Sequence, residues 1–447
     1  IVPLFGLAPP LVVELVTSWA DSFAALHTAQ FVTVFLLMLI PTFAMGAVFP
    51  TVARIYARDL TGIGRSVGEA YAANTLGSVV GSFVAGFVLI PVLGVRASIL
   101  LAVALNAVLG GVFLLLSDWR TPRFRWSCVT ATGGVVLAGI VAVPTWNTNL
   151  LNSAPYLYAY RYKANARTQG AGLDKVMTGS RRLLYEEEGL TATVTVVESG
   201  GQLYLKVNGK TDASSRGDLR SQSLLSHLPA LLHPAPTEAL LIGLGSGISL
   251  GALEHHPVQR IECVEISPEV VRGASFFSEV NGDAMSDPRV HMVIGDGRNH
   301  TAHTGTVFDV IISQPSNLWI AGMADLFTVE FFRACSTKLA ADGIMCSWVQ
   351  AYSMTTDDFR TIVNTFLHVF PHVSLWESVP GGDYFLVGSQ GPHPLSLTQL
   401  SQRVRARQLP AELGRIGVRS AEQILSSFVA ADADLRRFAQ GAALNND

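Results

Sequence analysis

The sequence predicts two architectures in one chain: a bundle of transmembrane α-helices over residues 1–149, then an α/β domain preceded by a small β domain. Three observations carry this. Of 447 residues, 49% are hydrophobic and only 15% charged, with mean hydropathy +0.37, a balance that points to membrane segments. The apolar excess is concentrated before residue 150, whereas from Ala239 onward short apolar strands alternate with helix-like stretches. The first of those strands runs into a glycine turn, LLIGLGSGISLGALEHHPVQRIECVE over Leu240–Glu265.

In the first part, Phe31–Val52, Ala72–Gly94, Ala97–Ser117 and Ser127–Asn147 carry no charge, and each is long enough to span a bilayer, which takes about 20 residues. Ile1–Trp19 reads as part of a fifth span, interrupted by Pro9, Pro10 and Glu14. The chain opens on Ile1 without a signal-peptide pattern, so a fragment lacking upstream membrane helices is expected. Gly77, Gly81 and Ala85 share one helix face and predict close helix packing.

Residues 150–189 read as a linker with scattered basic residues, Arg161, Lys163 and Arg167. Residues 190–228 form the small β domain: Thr191–Val197 and Gln202–Val207 flank Ser199-Gly200-Gly201 as a hairpin, and a helix follows over Leu219–Leu232. Residues 229–390 form the doubly wound domain. Its predicted strands are Ala239–Gly243, Arg260–Glu265, His291–Ile294, Val307–Ser313 and Gly343–Val349, with late antiparallel strands at Trp376 and Phe385–Gly388. Residues 391–447 are polar and helical in pattern.

Net charge is −3 with no long basic block, so nucleic acid is not an expected partner. Cys128, Cys263, Cys335 and Cys346 form no CxxC pair, and they read as structural thiols with neither metal nor disulfide framework. The candidate chemistry gathers at the ends of strands, where open α/β sheets bind ligands. Gly243-x-Gly245-x-Gly247 after one strand, with Glu265 closing the next about 20 residues on, is the layout of a Rossmann-like nucleoside unit. The glycines let backbone approach the ligand, and the carboxylate accepts both ribose hydroxyls. Asp296-Gly297 follows the third strand, where a carboxylate can meet an adenine amino group or simply build a turn. Ser313-Gln314-Pro315-Ser316-Asn317 follows the fourth, where the reacting group would sit. Gln222 faces the pocket only if its helix covers the sheet edge; pattern alone makes it a surface residue.

The run VNGKTDASSRGDLRSQSLLSHLP, LLIGLGSG, VEISPEVV, DPRVHMVIGDGRNH, FDVIIS and LFTVEFF resembles the polyamine aminopropyltransferase family, spermidine synthase and its relatives. With the hydrophobic N-terminal part, the whole chain is similar to bacterial membrane-embedded, spermidine synthase-like proteins. The resemblance implies a small β domain and a Rossmann-like domain of the S-adenosylmethionine-dependent methyltransferase type. It also implies transfer of an aminopropyl group from decarboxylated S-adenosylmethionine to a diamine, releasing methylthioadenosine. Carried over by position, Gly243, Gly245 and Gly247 form the nucleoside loop, Glu265 holds ribose, Asp296 and Gly297 hold adenine, and Gln222 touches the donor. The donor is a co-substrate rather than a tightly bound cofactor; the partners are a small amine or polyamine and the lipid bilayer, with a homodimer expected by analogy.

Departures from the family bear on the chemistry. Its catalytic aspartate becomes Gln314, and a second acid becomes Asn317. A neutral amide accepts a hydrogen bond from an amine but cannot serve as its base. Ser246 replaces the acid that anchors the donor's amino end, and Ser221 the diamine-contacting tyrosine; Ser221, Ser313 and Asn317 are left to meet the acceptor. Asp212, Asp218 or Glu186–Glu188 could supply the lost charge, and Trp319 could roof the pocket or simply pack. Three readings follow: an aminopropyltransferase-like enzyme with an altered acceptor, a methyltransferase using intact S-adenosylmethionine, or a transporter or sensor binding nucleoside or polyamine without catalysis. The expected location is the bacterial inner membrane, multi-pass. Arg54, Arg58 and Arg65 in one loop and Arg120, Arg123 and Arg125 in another count against a cytoplasmic α/β domain, whereas the cytosolic donor and the unpaired cysteines favour one.

Overall fold

The computed structural model describes residues 22–56, 62–117, 121–142, 147–179, 181–392, 395–407 and 409–447, with isolated positions 12, 15, 18 and 19. Most of the fifth predicted span, with Arg58 and Arg120, lies outside the described residues. The chain divides into two compact units, Ile1–Thr193 with Asn208–Lys210, and Val194–Val207 with Thr211–Asp447.

The first unit holds helices α1 (Phe23–Tyr56), α2 (Ile63–Val84), α3 (Ile90–Leu116) and α4 (Pro122–Ala142). Two stretches, Ala24–Tyr56 and Ile63–Leu116, are long and apolar enough to cross a membrane. The second contains two of the predicted spans. A π-turn at Ala85–Leu89 joins α2 to α3, and Gly94, at φ 80° and ψ 164°, breaks the helix within α3 where sequence divides those spans. Of the last predicted span, Ser127–Asn147, residues up to Ala142 lie in α4, which starts earlier, at Pro122; residues 143–146 lie outside the described residues. Asn147 instead caps a short helix, Thr148–Leu151, accepting from Leu150 N. The expected packing face is also corrected. A β-carbon on Gly77 or Gly81 would meet nothing within 4 Å, so these glycines permit no close approach among the described residues.

Residues 150–189, expected as a linker, are structured. They form α5 (Pro155–Gln169), a short helix Leu173–Thr178 and strand β1 (Arg182–Glu188). Buried Leu150, Tyr162 and Met177 make a small core here, which a linker reading based on scattered charge could not reveal.

In the second unit, β2 (Thr193–Ser199) and β3 (Gln202–Val207) pair antiparallel as predicted, with Ser199 opposite Gln202. The β4 strand (Lys210–Ser214) leads into α6 (Leu219–Leu232), whose Leu224, Leu225, Leu228 and Leu231 are buried. Then β5 (Glu238–Ile242), α7 (Ile248–Glu254), β6 (Arg260–Glu265), α8 (Pro268–Ala274), β7 (Val290–Ile294), α9 (Gly297–His303), β8 (Phe308–Ser313), α10 (Val329–Thr337) and β9 (Leu339–Gln350) alternate. The chain continues through α11 (Thr356–Val369), β10 (His372–Val379), β11 (Asp383–Ser389), α12 (Leu397–Ala406), β12 (Phe428–Ala431) and α13 (Asp432–Ala439). These strands form one eight-stranded sheet, in the order β12-β10-β11-β9-β8-β5-β6-β7. The five from β5 to β9 are parallel neighbours, and β9–β11, β10–β11 and β10–β12 are antiparallel. Residues 391–447, polar and helical in pattern, also hold β12, a short strand that covers the edge of β10.

Local sequence explains the ends. Ser267 caps α8 and Thr328 caps α10 through the third backbone N–H, and Thr355 with Asp358 forms a reciprocal capping box on α11. The core on one side of the sheet is aromatic: Phe331, Phe332, Phe366 and Phe370 pack with Leu240, Ile242 and Ile311. The four cysteines are free. Cys263, Cys335 and Cys346 are buried, and burial pushes their thiols far above the usual range; Cys128 is partly buried on α4.

Candidate functional site

The sheet reverses its winding between β5 and β8: β6 and β7 lie to one side, β9 to the other. Such a switch point opens a crevice at the carboxyl ends of the strands. Both motifs that sequence singles out lie there. Gln314 N donates to Ile242 O at 2.8 Å, bringing the segment after β8 against the turn after β5. Gly243 sits at φ 89°, and a β-carbon on it would lie 2.5 Å from Gln314 O; both conformation and space demand glycine. A β-carbon on Gly245 would lie 3.7 Å from Gln314 Nε2, 3.8 Å from Ala213 Cβ and 4.0 Å from Gln222 Nε2. Strand β4, helix α6, the glycine loop and the β8 segment therefore converge on one point.

Around that point the loop is held by side chains. Glu265 is buried and accepts from Leu244 N at 2.9 Å and Ser267 N at 3.0 Å. Burial pushes its carboxyl up and the nearby Asp212 adds to this, while the backbone donors oppose it. Gln222 is also buried, not exposed as its pattern predicts, because α6 covers the rim. Its Oε1 accepts from Ser246 Oγ at 2.6 Å. Asn281, which sequence reading missed, donates to Ser246 O at 2.9 Å and Ala274 O at 3.1 Å. Asp296 is exposed and caps α9 through Asn299 N at 2.6 Å. Gly297 lets α9 approach the sheet, since a β-carbon there would lie 2.4 Å from Ile242 Cγ2.

The second part of the rim follows β8 and β9. Asn317 Nδ2 donates to Gln350 Oε1 and to Tyr352 OH. Trp319 stands edge-on to Tyr352 with ring centroids 6.0 Å apart, and it is exposed. Four buried polar atoms here have no hydrogen-bond partner among the described residues: Ser313 Oγ, Gln314 Oε1, Ser347 Oγ and Gln350 Nε2. Ser221 Oγ shares a hydrogen bond with Ser378 Oγ at 2.6 Å and donates to Asp383 Oδ2 at 2.7 Å.

Of the candidate substitute acids, Asp212 reaches the site: Ser316 Oγ donates to its Oδ1 at 2.5 Å. Asp218 precedes α6 without capping it. Glu186 and Glu188 are engaged elsewhere, accepting from Asn152 Nδ2 at 3.2 Å and from Val95 N. Gln350 was missed by one residue, because the predicted fifth strand stops at Val349; the strand-end rule that found Gln314 finds it too. Asp383 carries no such signal, since it begins a strand.

The spermine/spermidine synthase domain matches residues 219–380. The polyamine aminopropyltransferase of Aeropyrum pernix is 30% identical over 226 residues, 47% of this chain and 72% of that protein. The chain belongs to the spermine/spermidine synthase family. The polyamine aminopropyltransferase of Thermotoga petrophila is 24% identical over 221 residues, 48% of this chain and 75% of that protein. Among solved structures, a spermidine synthase in complex with the transition state analogue AdoDATO is 22% identical, with TM-score 0.49, covering 58% of this chain and 87% of that one. Within this family the chain carries neutral side chains at Ser246, Gln314 and Asn317, and helices α1 to α4 lie outside the matched domain.

Proposed function

We propose that the chain is a membrane-anchored transferase that binds an S-adenosylmethionine-type donor and a small amine or polyamine acceptor. The carrying observation is the convergence of the glycine loop, Gln222 and Gln314 on Gly245, with buried Glu265 bracing that loop. In this reading Gly243, Gly245 and Gly247 let the backbone approach the nucleoside. Glu265 turns its remaining lone pairs to the ribose, and Asp296 and Gly297 border the adenine. Gln314 Oε1 accepts a hydrogen bond from the attacking amine, which Ser313 and Asn317 flank. Holding both reactants at one rim supplies the rate advantage of proximity. With an amide in place of a carboxylate, the proton leaves to solvent or to Asp212, which Ser316 holds beside the same segment.

Decarboxylated S-adenosylmethionine as donor makes the reaction aminopropyl transfer, with methylthioadenosine as product. One observation favours a second reading, methyl transfer from intact S-adenosylmethionine. Ser246 presents a hydroxyl tied to Gln222, so no carboxylate stands at position 246 to select a donor tail ending in an ammonium alone. Product analysis separates them: methylthioadenosine supports the first and S-adenosylhomocysteine the second, while neither, with nucleoside still bound, supports a sensor or transporter. Gln314→Asp is expected to raise aminopropyl transfer at least tenfold; no change would remove Gln314 from the reaction.

Membrane anchoring is supported by apolar side chains left uncovered, such as Phe31, Phe43 and Phe113, each at least 70% exposed. We place the α/β unit on the cytoplasmic face, where such donors occur. Resistance of the membrane-bound chain to carbonate extraction checks the anchoring, and its release would overturn it.

A further inference from the structure

Residues 155–182 carry six basic side chains, Arg161, Lys163, Arg167, Lys175, Arg181 and Arg182, against one acid, Asp174. Helix α5 sorts its residues by face. Ala159 and Tyr162 are buried, and Tyr158 packs on the core that Tyr162 shares with Leu150 and Met177. Tyr156, Tyr160, Lys163 and Arg167 recur at i, i+4, i+7 and i+11, so they share the other face. The two tyrosines there are 49% and 57% exposed, and Arg167 is exposed as well. Arg161 stands beside them, exposed, with its guanidinium 5.7 Å from the Tyr160 ring centre and its Nε donating to Tyr160 Oη at 2.9 Å.

Two hydrogen bonds fix where this layer sits within the first unit. Lys163 Nζ donates to Ser18 O at 3.3 Å, next to exposed Trp19 and shortly ahead of α1. At the far end of the layer, Glu188 of β1 accepts from Val95 N, one residue past the break at Gly94. With α1, α2, α3 and α4 as crossings, the start of α1, the break at Gly94 and the end of α4 all fall on one side of the bilayer. Contacts and connectivity therefore agree, and both put α5 and β1 at the boundary between lipid and water. Tyr and Trp rings interleaved with Lys and Arg are the composition that boundary selects, since rings rest among headgroups while cations meet phosphates.

We infer that the face of α5 bearing Tyr156, Tyr160, Lys163 and Arg167, with Arg161 beside it, binds the headgroups of anionic phospholipids. This rests on the membrane-anchored reading. Charge chooses the occupant. A zwitterionic headgroup already pairs its phosphate with its own ammonium, whereas an anionic one brings uncompensated charge, and each Lys or Arg near such a surface is worth roughly fivefold in attraction. Arg161 and Arg167 can each meet a phosphate with two parallel N–H groups. The acids that follow, Glu186, Glu187 and Glu188, are turned to donors of the unit itself, Asn152, Tyr185 and Val95. A free anion would need no flanking rings, and the chain's net charge of −3 disfavours nucleic acid.

Electron spin resonance of the full chain in phosphatidylcholine vesicles, with a trace of spin-labelled phosphatidylglycerol or phosphatidylcholine, tests this by counting the lipids the protein immobilises. The wild type is expected to hold phosphatidylglycerol at least fivefold more tightly than phosphatidylcholine, and the ratio should fall as salt screens the charges. Replacing Arg161, Lys163 and Arg167 together by Gln should lower the ratio at least threefold. Removing as many charges from the opposite face, by Arg54→Gln, Arg65→Gln and Arg123→Gln, should leave it nearly unchanged. An unaltered circular-dichroism melting midpoint shows that the variant is folded; should it drop, Arg167→Gln with Lys175→Gln, both on exposed side chains, takes its place. No preference in the wild type, an undiminished one in the folded variant, or loss of the preference to inorganic phosphate at constant ionic strength overturns the inference and leaves the anchoring standing. Release of the chain by carbonate overturns the anchoring and this inference with it.

Discussion

The two ends of the rim differ in how their polar groups are satisfied. At the glycine-loop end, Glu265, Ser246, Gln222 and Asn281 form a closed set of hydrogen bonds within the protein. At the β8–β9 end, Ser313, Gln314, Ser347 and Gln350 each bury a polar atom with no partner among the described residues. Satisfied networks rigidify a site, while unsatisfied buried groups cost stability until something binds them. The glycine-loop end is therefore pre-organised, and the β8–β9 end leaves buried polar groups open, which suits the proposed division between nucleoside and acceptor.

Substitutions should separate the two ends, beginning with the most disruptive. Gly243→Ala forces a side chain onto a positive φ and into Gln314 O, and should destabilise the α/β unit by roughly 2–4 kcal/mol while abolishing nucleoside binding. Urea unfolding and calorimetry check both, and retained binding would break the loop assignment. Asn281→Ala strips a donor from two buried carbonyls and should cost about 1–3 kcal/mol, with weaker nucleoside binding. Next comes acid sensitivity, which should arise away from the rim. His227 Nδ1 and His256 Nε2 are buried 2.9 Å apart, and burial pushes His227 down to about 3 and lowers His256 as well. Both are neutral when folded but take up protons below about pH 6.5 when unfolded. The His227 contribution is complete above that pH and is lost as pH falls toward 3, at about 1.4 kcal/mol per pH unit, and His256 acts in the same direction. Urea midpoints between pH 7 and 4 test it; a flat profile would refute it. The smallest effect belongs to the β8–β9 end. Ser313→Ala and Ser347→Ala remove unpartnered hydroxyls and should change stability by less than about 0.5 kcal/mol or raise it slightly. A loss as large as that of Asn281→Ala would erase the contrast.

Much of the glycine-loop end is legible in sequence because it obeys a local grammar. A strand, a glycine turn and an acid closing the next strand specify Gly243, Gly245 and Glu265 without tertiary information. The β8–β9 end is not, since Gln350 and Asp383 meet only through β9–β11 pairing, which joins segments far apart in the chain. Gln222 was misjudged for the same reason: its exposure depends on what α6 covers, and hydrophobic periodicity sees only the helix itself. Residues 150–189 read as a linker in sequence because scattered charge masks a core as small as Leu150, Tyr162 and Met177. β12 went unread because a four-residue edge strand has too little pattern to register.

The three buried cysteines of the α/β unit have a practical consequence. Deeply enclosed and held as neutral thiols, they offer an alkylating reagent no nucleophile while the fold persists. With Cys128 replaced by serine, any cysteine engineered onto the outside of this unit would report alone. Maleimide added to whole cells could then read the sidedness of the α/β unit against a silent background.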